Sequence, residues 1–270
     1  MNSFPLLAKG FRGTADQVPP YAKLIKHSEA VVEASMQLFE LVGYRTLQQM
    51  GIEHRWEDLR TILWYFGWVH DCGKANDHFS EMLQGLCQVK QMMRHEVVSV
   101  LLLQLHPGLA VLLKPLPSEI QYILYCVVLG HHRKFPFCNG NCQEVGEMKT
   151  LISHPDFADL VERINKDGQA SLPQPTKTII TFTMDKSGSG VYAYQEVKRM
   201  THDLSEWVRG GVSEETKRLI AAAKALAIAA DVAASALAKE SDEATEAIRL
   251  YLKQHLSGIG LTAADMDELV

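Results

Sequence analysis

The sequence predicts a mainly α-helical fold with one small β-hairpin insertion. Apolar residues recur at helical spacing in most of the chain, whereas "KTIITFTMDKSGSGVYAYQEV" has two β-branched and aromatic runs around a Ser-Gly turn. The length of 270 residues and the hydrophobic content of 47% are sufficient for one large core. We therefore expect a single domain over residues 1–270, with the hairpin at residues 176–197.

Five segments carry the clearest helical periodicity. In each of them, apolar residues follow the i, i+3, i+4 and i+7 spacing of one helix face. Each segment also directs a histidine or an aspartate toward that apolar face or toward its own end. The segments are residues 22–42, residues 57–71, "RHEVVSVLLLQL" up to Pro107-Gly108, "PSEIQYILYCVVLG", and residues 213–239.

Composition and charge exclude several classes of protein. The formal net charge of -5 argues against a protein that coats nucleic acid by charge alone, so any such contact must be local or delegated to a partner. Five scattered cysteines and an N-terminus without a signal-peptide pattern indicate a cytoplasmic location. Apolar stretches such as "VVSVLLLQL" are too short to span a bilayer, and we expect no membrane association.

Polar residues on the apolar side of the predicted helices form the candidate site. A buried ionised carboxylate costs several kcal/mol unless it is paired or bound to a metal, so five helices with this feature indicate a shared site. Imidazole nitrogens and carboxylate oxygens together suit Mn, Fe, Co, Ni, Zn or Mg. The candidate metal ligands are His27, His70, Asp71, His95, His131, His132 and Asp231.

Two adjacent pairs in this set favour two ions rather than one. Neighbouring helical residues point about 100° apart, so His70-Asp71 and His131-His132 can each supply two ligands. The carboxylate of Asp71 has two oxygens and could bridge two metals. Seven candidate ligands exceed the number that one ion needs and suit two ions with water at the remaining positions.

The ordered set resembles a known superfamily. The order His…His-Asp…His…His-His…Asp, with "HDCGK" at its centre and "ADVAAS" at its end, resembles the HD superfamily of metal-dependent phosphohydrolases. Within that superfamily it is most similar to the HD nuclease domain of Cas3 proteins from type I CRISPR systems. The resemblance covers about residues 20–240 and implies an HD-domain helical bundle.

The resemblance also implies a role for each matching residue. The basic HD metal site corresponds to His27, His70, Asp71 and Asp231. The ligands of a second ion correspond to His95, His131 and His132, with Asp71 as the bridge. Lys74, in "HDCGK", corresponds to a lysine near the scissile phosphate, and Asp71 and Lys74 are the implied catalytic residues. Ser235, in "ADVAAS", corresponds to a small polar residue near the site.

The implied activity is hydrolysis of phosphodiester bonds in single-stranded DNA, with RNA as an alternative substrate. Two divalent ions from the group Mn, Co, Ni, Mg and Zn would activate the attacking water. The chain has no G-x-x-x-x-G-K-[ST] phosphate loop. The resemblance also implies a helicase protein or domain and a CRISPR surveillance complex as partners.

Two other functions remain open at the level of sequence. An HD phosphohydrolase of nucleotides or cyclic nucleotides shares most of these ligands, although "HHRKFPFCNGNC" lacks the Gly-Tyr-Pro signature of the cyclic-dinucleotide branch. A non-catalytic HD docking module of a nucleic-acid complex would also retain the fold. For individual residues, His70-Asp71 could form a buried hydrogen bond without a metal, and His132 could belong to a basic helix end.

Overall fold

The computed structural model describes residues 4–11, 17–84, 92–132, 146–167, 179–184, 186, 188–237 and 252. Within these residues the chain is mainly helical and carries one small sheet, which confirms the predicted fold class. The α-helices are α1 (Leu24–Leu38), α2 (Tyr44–Gln49), α3 (Trp56–Val69), α4 (Asp77–Leu83), α5 (His95–Leu105), α6 (Pro107–Leu113), α7 (Ser118–Gly130), α8 (Pro155–Asp167), α9 (Ala193–Arg209) and α10 (Glu214–Leu237). The strands are β1 (Glu147–Lys149), β2 (Thr181–Thr183) and β3 (Val191–Tyr192).

The chain divides into two compact units, each assembled from segments that are distant in sequence. The first unit takes its described residues from Met1–Lys26, His70–Pro117 and Pro136–Ser205. The second unit takes its described residues from His27–Val69, Ser118–Phe135 and Glu206–Val270. The single domain over residues 1–270 stays a prediction.

The core of the second unit forms around α3. Helices α3, α7 and α10 pack against one another, and α2 also contacts α10. The glycine in the middle of α3 permits a close helix contact, because a Cβ on Gly67 would lie 2.6 Å from Val32 Cγ2 and 2.8 Å from Val32 Cα on α1. A side chain at position 67 would separate the two helices. Gly67 therefore allows the backbones of α1 and α3 to touch.

One described helix, α10, is long and apolar enough to cross a bilayer by length and composition alone. Of the most apolar 18-residue window of α10, 56% is buried inside the protein. The helix packs against α3 and α7. Helices α5 and α6 would reach that length only as one span, but they are bent by 88° relative to each other. Packing in the core of the second unit explains the apolar composition of α10.

Helix α5 ends just before Pro107-Gly108, as the sequence predicts, and a helix that was not predicted begins there. Helix α5 ends at Leu105, and Pro107 is the first residue of a new helix. Proline suits the first helical position because its missing N–H has no partner there in any helix. The ring of His106 supports the new start, since its Nδ1 accepts a hydrogen bond from Leu109 N at 3.3 Å.

The first unit is organised around α5. The turn at Cys72–Lys74 and helix α6 both pack against α5, and α4 contacts β1. Asn76 begins α4, because its Oδ1 accepts a hydrogen bond from Phe79 N at 2.7 Å. The Nδ2 of the same side chain donates to Gly73 O at 2.6 Å. The amide of Asn76 therefore links the start of α4 to the preceding turn.

Residues 176–197 contain β-structure as predicted, but its pairing differs from that of a hairpin. Phe182 on β2 pairs with Val191 on β3 in parallel register, and β2 pairs antiparallel with β1. Gly190, just before β3, permits a close approach to β2, because a Cβ at this position would lie 2.4 Å from Thr181 O. Helix α9 already begins at Ala193, and residues 176–178, 185 and 187 lie outside the described part of the chain.

A surface ion-pair network joins three helices of the second unit. Arg55, just before α3, contacts Asp58 and lies 3.2 Å from Glu119 Oε2 on α7 and 3.1 Å from Glu215 Oε1 on α10. His54 Nε2 also lies 2.9 Å from Glu215 Oε1. These hydrogen bonds, from His54 first and then from Arg55, lower the pKa of the Glu215 carboxyl below its usual value.

We expect Glu215→Gln to cause a small, pH-dependent decrease in the thermal midpoint of unfolding. A carboxylate whose pKa is lowered by folding stabilises the protein above its unfolded pKa, and that contribution is lost as the pH falls through the folded pKa. Thermal melts at pH 7 and at progressively lower pH, through the acidic range of carboxyl titration, measure the effect. The difference between the two proteins should be present at pH 7 and shrink as the pH falls. A difference that grows on acidification would contradict this assignment.

Candidate metal centre

The His-Asp pair lies just beyond the end of α3. Helix α3 ends at Val69, two residues earlier than predicted, and the 3-10 turn at Cys72–Lys74 follows. His70 and Asp71 are buried in the turn between them, and Lys74 N closes it by donating to Asp71 O at 2.9 Å. A tight turn with this hydrogen bond holds the two side chains in fixed directions.

Each carboxylate oxygen of Asp71 contacts a different side chain. Oδ2 accepts a hydrogen bond from Lys74 Nζ at 2.6 Å and lies 3.5 Å from His70 Nε2. Oδ1 lies 3.2 Å from His95 Nε2, at the start of α5. Asp71 and His95 offer ligand atoms within 4.8 Å of each other, close enough to hold one ion. The two oxygens of Asp71 therefore face different side chains.

An apolar ring and a second acid lie beside this group. The Phe79 ring packs at a steep angle against the ring of His95, at 6.1 Å between centroids, and Lys74 Nζ lies 5.7 Å from the Phe79 centroid. Glu96 is also buried, with its Oε2 at 3.5 Å from His95 Nδ1, and it contacts Arg94. A carboxylate behind a ligating histidine orients the ring and raises its basicity.

In the second unit, α1 and α10 bring His27 and Asp231 together. His27 Nε2 lies 3.1 Å from Asp231 Oδ1, and both residues are buried. Ser235, one turn further along α10, donates its hydroxyl to the same oxygen at 3.2 Å. The alanines that α10 buries beside Asp231, such as Ala227 and Ala234, are small and leave space for the imidazole and the carboxylate.

The second histidine pair follows α7 directly. Helix α7 ends at Gly130, and the rings of His131 and His132 lie 4.0 Å apart between centroids. His131 is buried and His132 is exposed. His131 Nδ1 lies 2.6 Å from Val128 O, and since a carbonyl only accepts, Nδ1 carries the proton. Nε2 of His131 is then the nitrogen that can bind a metal, and the Phe66 ring packs against this imidazole at 5.7 Å between centroids.

A buried cation, Lys224, lies near this histidine pair and was not predicted from the sequence. Lys224 is buried on α10, and a Cβ on Gly130 would lie 3.0 Å from Lys224 Cε and 3.4 Å from its Nζ. The ammonium therefore lies beside the C-terminal end of α7, where the backbone carbonyls attract positive charge. The available signal was a single lysine in an alanine-rich stretch, two helical turns before Asp231.

The donor chemistry in both units fits divalent metal ions. The first unit groups His70, Asp71 and His95 with Lys74, and the second unit groups His27 with Asp231 and His131 with His132. Imidazole nitrogens and carboxylate oxygens in buried positions suit borderline and hard divalent cations. Asp71 and His95 offer ligand atoms within 4.8 Å of each other, and so do His27 and Asp231, so each pair could contribute ligands to an ion.

A buried cysteine on α7, Cys126, has the wrong protonation state to join these ligands. Burial raises the pKa of the Cys126 thiol to about 12, although the charge of Lys224 lowers it slightly. We therefore expect Cys126 to react much more slowly with iodoacetamide at pH 8 in the folded protein than in denaturant. Peptide mass spectrometry at timed intervals measures this rate. Equal labelling of Cys126 in both states would show that the thiol is accessible and contradict the burial.

These features define a candidate metal centre of the HD type, in which a His-Asp pair lies at the centre of an ordered set of histidines and aspartates. Comparison with known families agrees with this class. The family described as "Cas3, HD domain" matches residues 8–242, and the chain therefore belongs to the Cas3 HD-domain family.

Two known proteins are similar to this chain. A protein of Myxococcus xanthus (strain DK1622) that bears the name CRISPR-associated nuclease/helicase Cas3 is 29% identical over 270 residues. The alignment covers 94% of this chain and 35% of the relative, so the chain spans about a third of that protein's length. The solved CRISPR-associated Cas3 HD domain protein of Methanocaldococcus jannaschii is 15% identical, with a TM-score of 0.41, and the match covers 79% of this chain and 98% of that one.

Proposed function

We propose that the chain is a two-metal phosphodiesterase that hydrolyses single-stranded DNA. The proposed ligands are His27, His70, Asp71, His95, His131, His132 and Asp231, with Asp71 shared by both ions. The observation that carries the proposal is the geometry of Asp71. Its Oδ2 contacts Lys74 at 2.6 Å and its Oδ1 lies 3.2 Å from His95, on a turn that is almost completely buried.

Several residues of the chain would contribute directly to the reaction. The ions, when bound, supply an activated water and neutralise charge on the phosphodiester. Lys74 places an ammonium against Asp71 and would stabilise the negative charge that develops on the phosphoryl oxygens. His131 donates from Nδ1 to Val128 O, so Nε2 is the nitrogen that would bind a metal. The Phe79 ring packs beside Lys74 and His95 and would limit the access of water to them.

Membership of the Cas3 HD-domain family supports a role in CRISPR interference. The name of the Myxococcus relative includes a helicase, and that protein extends well beyond the region that this chain matches. We therefore propose a helicase protein or domain and a CRISPR surveillance complex as partners, in the cytoplasm. The net charge of -5 supports delivery of the strand by such a partner, since the chain itself has no basic excess to attract phosphates.

A cleavage assay on metal-stripped protein tests this function. Single-stranded DNA labelled at either end is incubated with the protein after addition of Mn, Co, Ni, Mg or Zn, one at a time. His202→Ala is the matched control, because His202 is an exposed histidine of α9 outside both ligand groups. We expect cleavage to return with at least one metal, equally in wild type and control.

Other substrates in the same assay separate the alternatives. Single-stranded RNA, nucleoside triphosphates and cyclic dinucleotides are tested under identical conditions. Hydrolysis of a nucleotide without cleavage of DNA would replace the proposed substrate by a small molecule. Absence of any hydrolysis in protein that binds two ions would contradict an enzymatic role and favour a docking module.

A further inference from the structure

A single buried hydroxyl holds both sides of the His70-Asp71 turn. Ser99 lies on α5, one helical turn after His95, and is completely buried. Its Oγ donates a hydrogen bond to His70 O at 2.7 Å and accepts one from Gly73 N at 2.8 Å. The backbone groups before and after Asp71 are therefore fixed by the same side chain.

The turn is also in direct backbone contact with α5. A Cβ on Gly73 would lie 2.0 Å from His95 O and 2.6 Å from Ser99 N, so only glycine allows this approach. Asn76 Nδ2 donates to Gly73 O at 2.6 Å and so holds the carbonyl of the same glycine. The turn that carries Asp71 and the helix that begins with His95 are thus joined at van der Waals distance, with Ser99 as the hydrogen-bonding group at the contact.

We propose that Ser99 is a positioning residue for metal binding. It sets the orientation of His70 and Asp71 relative to His95, although it has no ligand role itself. This inference rests on the proposed function, in which those three residues are ligands. A hydroxyl is both donor and acceptor, and Ser99 uses both capacities at this contact. Residues that orient metal ligands typically change affinity by about 10–100-fold when they are removed.

The test measures metal affinity separately from stability. Mn²⁺ is titrated into metal-free protein by calorimetry, and the thermal midpoint of the metal-free protein is recorded in parallel. Ser99→Ala removes both hydrogen bonds, and we expect Mn²⁺ affinity to fall by about 10–100-fold. Ser99→Thr retains the hydroxyl and should restore most of the affinity. Ser35→Ala is the matched control, because Ser35 on α1 is equally buried. We expect the Mn²⁺ affinity of this variant to stay within about twofold of wild type.

The outcomes distinguish this inference from the proposed function. Wild-type affinity in Ser99→Ala, even with a lower thermal midpoint, would show that Ser99 is merely structural and would overturn the inference. If Ser99→Ala does not fold, Ser99→Cys keeps the volume with a weaker hydrogen-bonding group, and its affinity should lie between those of wild type and the expected alanine value. Unchanged affinity in Ser99→Cys would then overturn the inference. Failure of the wild type to bind Mn²⁺ or any other tested ion would contradict the proposed function itself.

Discussion

Asp71→Asn is expected to abolish metal-dependent hydrolysis while the helical content remains unchanged. Asparagine has nearly the same shape as aspartate, but its side chain is neutral and offers only one oxygen. Both partners of the carboxylate, Lys74 on Oδ2 and His95 on Oδ1, would lose the negative charge that they now contact. We expect at least about a hundredfold loss of hydrolysis, because the residue acts on both proposed ions. Cleavage assays and circular dichroism on the same preparation measure the two effects.

A double variant separates catalysis from stability. Asp71 and Lys74 are both buried, and removal of one partner of a buried ion pair costs about 3–5 kcal/mol because the other charge remains unpaired. Asp71→Asn/Lys74→Met removes both charges and should recover most of the stability without recovering hydrolysis. Turnover in either variant at the wild-type level would contradict the bridging role of Asp71.

Gly73→Ala is expected to be among the most destabilising substitutions in the chain. The added Cβ would lie 2.0 Å from His95 O, 2.6 Å from Ser99 N and 2.9 Å from Ser99 Oγ. Two of these neighbours are backbone atoms of α5, which cannot rotate away as a flexible side chain can. Overpacking of this kind costs about 1–3 kcal/mol and more where the backbone must move, so we expect a loss of about 3 kcal/mol or more.

Gly10→Ala is the matched control for this substitution. Gly10 belongs to the same unit, and the nearest atom to its added Cβ would be Leu83 Cδ2 at an ordinary distance of 3.8 Å. Urea unfolding of the three proteins measures the free energy of unfolding, and Mn²⁺ titration measures the consequence for the ligands. We expect Gly73→Ala to lose both stability and affinity, whereas Gly10→Ala should lose neither. Wild-type stability in Gly73→Ala would show that the turn is not in close contact with α5.

Local periodicity made the main helices predictable from sequence. The expected helix at residues 57–71 corresponds to α3, and the expected helix at residues 213–239 corresponds to α10, each within two residues at either end. The 3.6-residue spacing of buried side chains depends only on near neighbours in the chain. The His70-Asp71 pair differs, because it lies in the turn after α3 rather than in the helix.

Contacts between distant segments were not predictable in the same way. The pairing of β2 with β1 joins residues that are more than 30 positions apart, and the hairpin signal in residues 176–197 contains no information on that partner. The start of α6 at Pro107 could not be predicted either. Proline is suited both to a position just after one helix and to the first position of the next.

The candidate ligands could be predicted because their order along the chain resembles that of a family, whereas the residues that support them could not. Ser99 and Glu96 are polar residues in a mostly apolar helix, and only the folded structure brings Ser99 to the backbone of His70 and Gly73. Lys224 likewise reaches the C-terminal end of α7 only because α10 packs beside that helix. Such side chains depend on tertiary contacts that no local spacing encodes.

The most direct test of the two-metal centre is anomalous X-ray diffraction at the manganese edge from crystals of the protein with Mn²⁺. We expect two anomalous peaks about 3.5–4 Å apart, with one oxygen of Asp71 bound to each ion. His27, His70 and Asp231 should surround the first peak, and His95, His131 and His132 should surround the second. A single peak, or two peaks that do not share Asp71, would show that the protein has no two-metal centre bridged by Asp71.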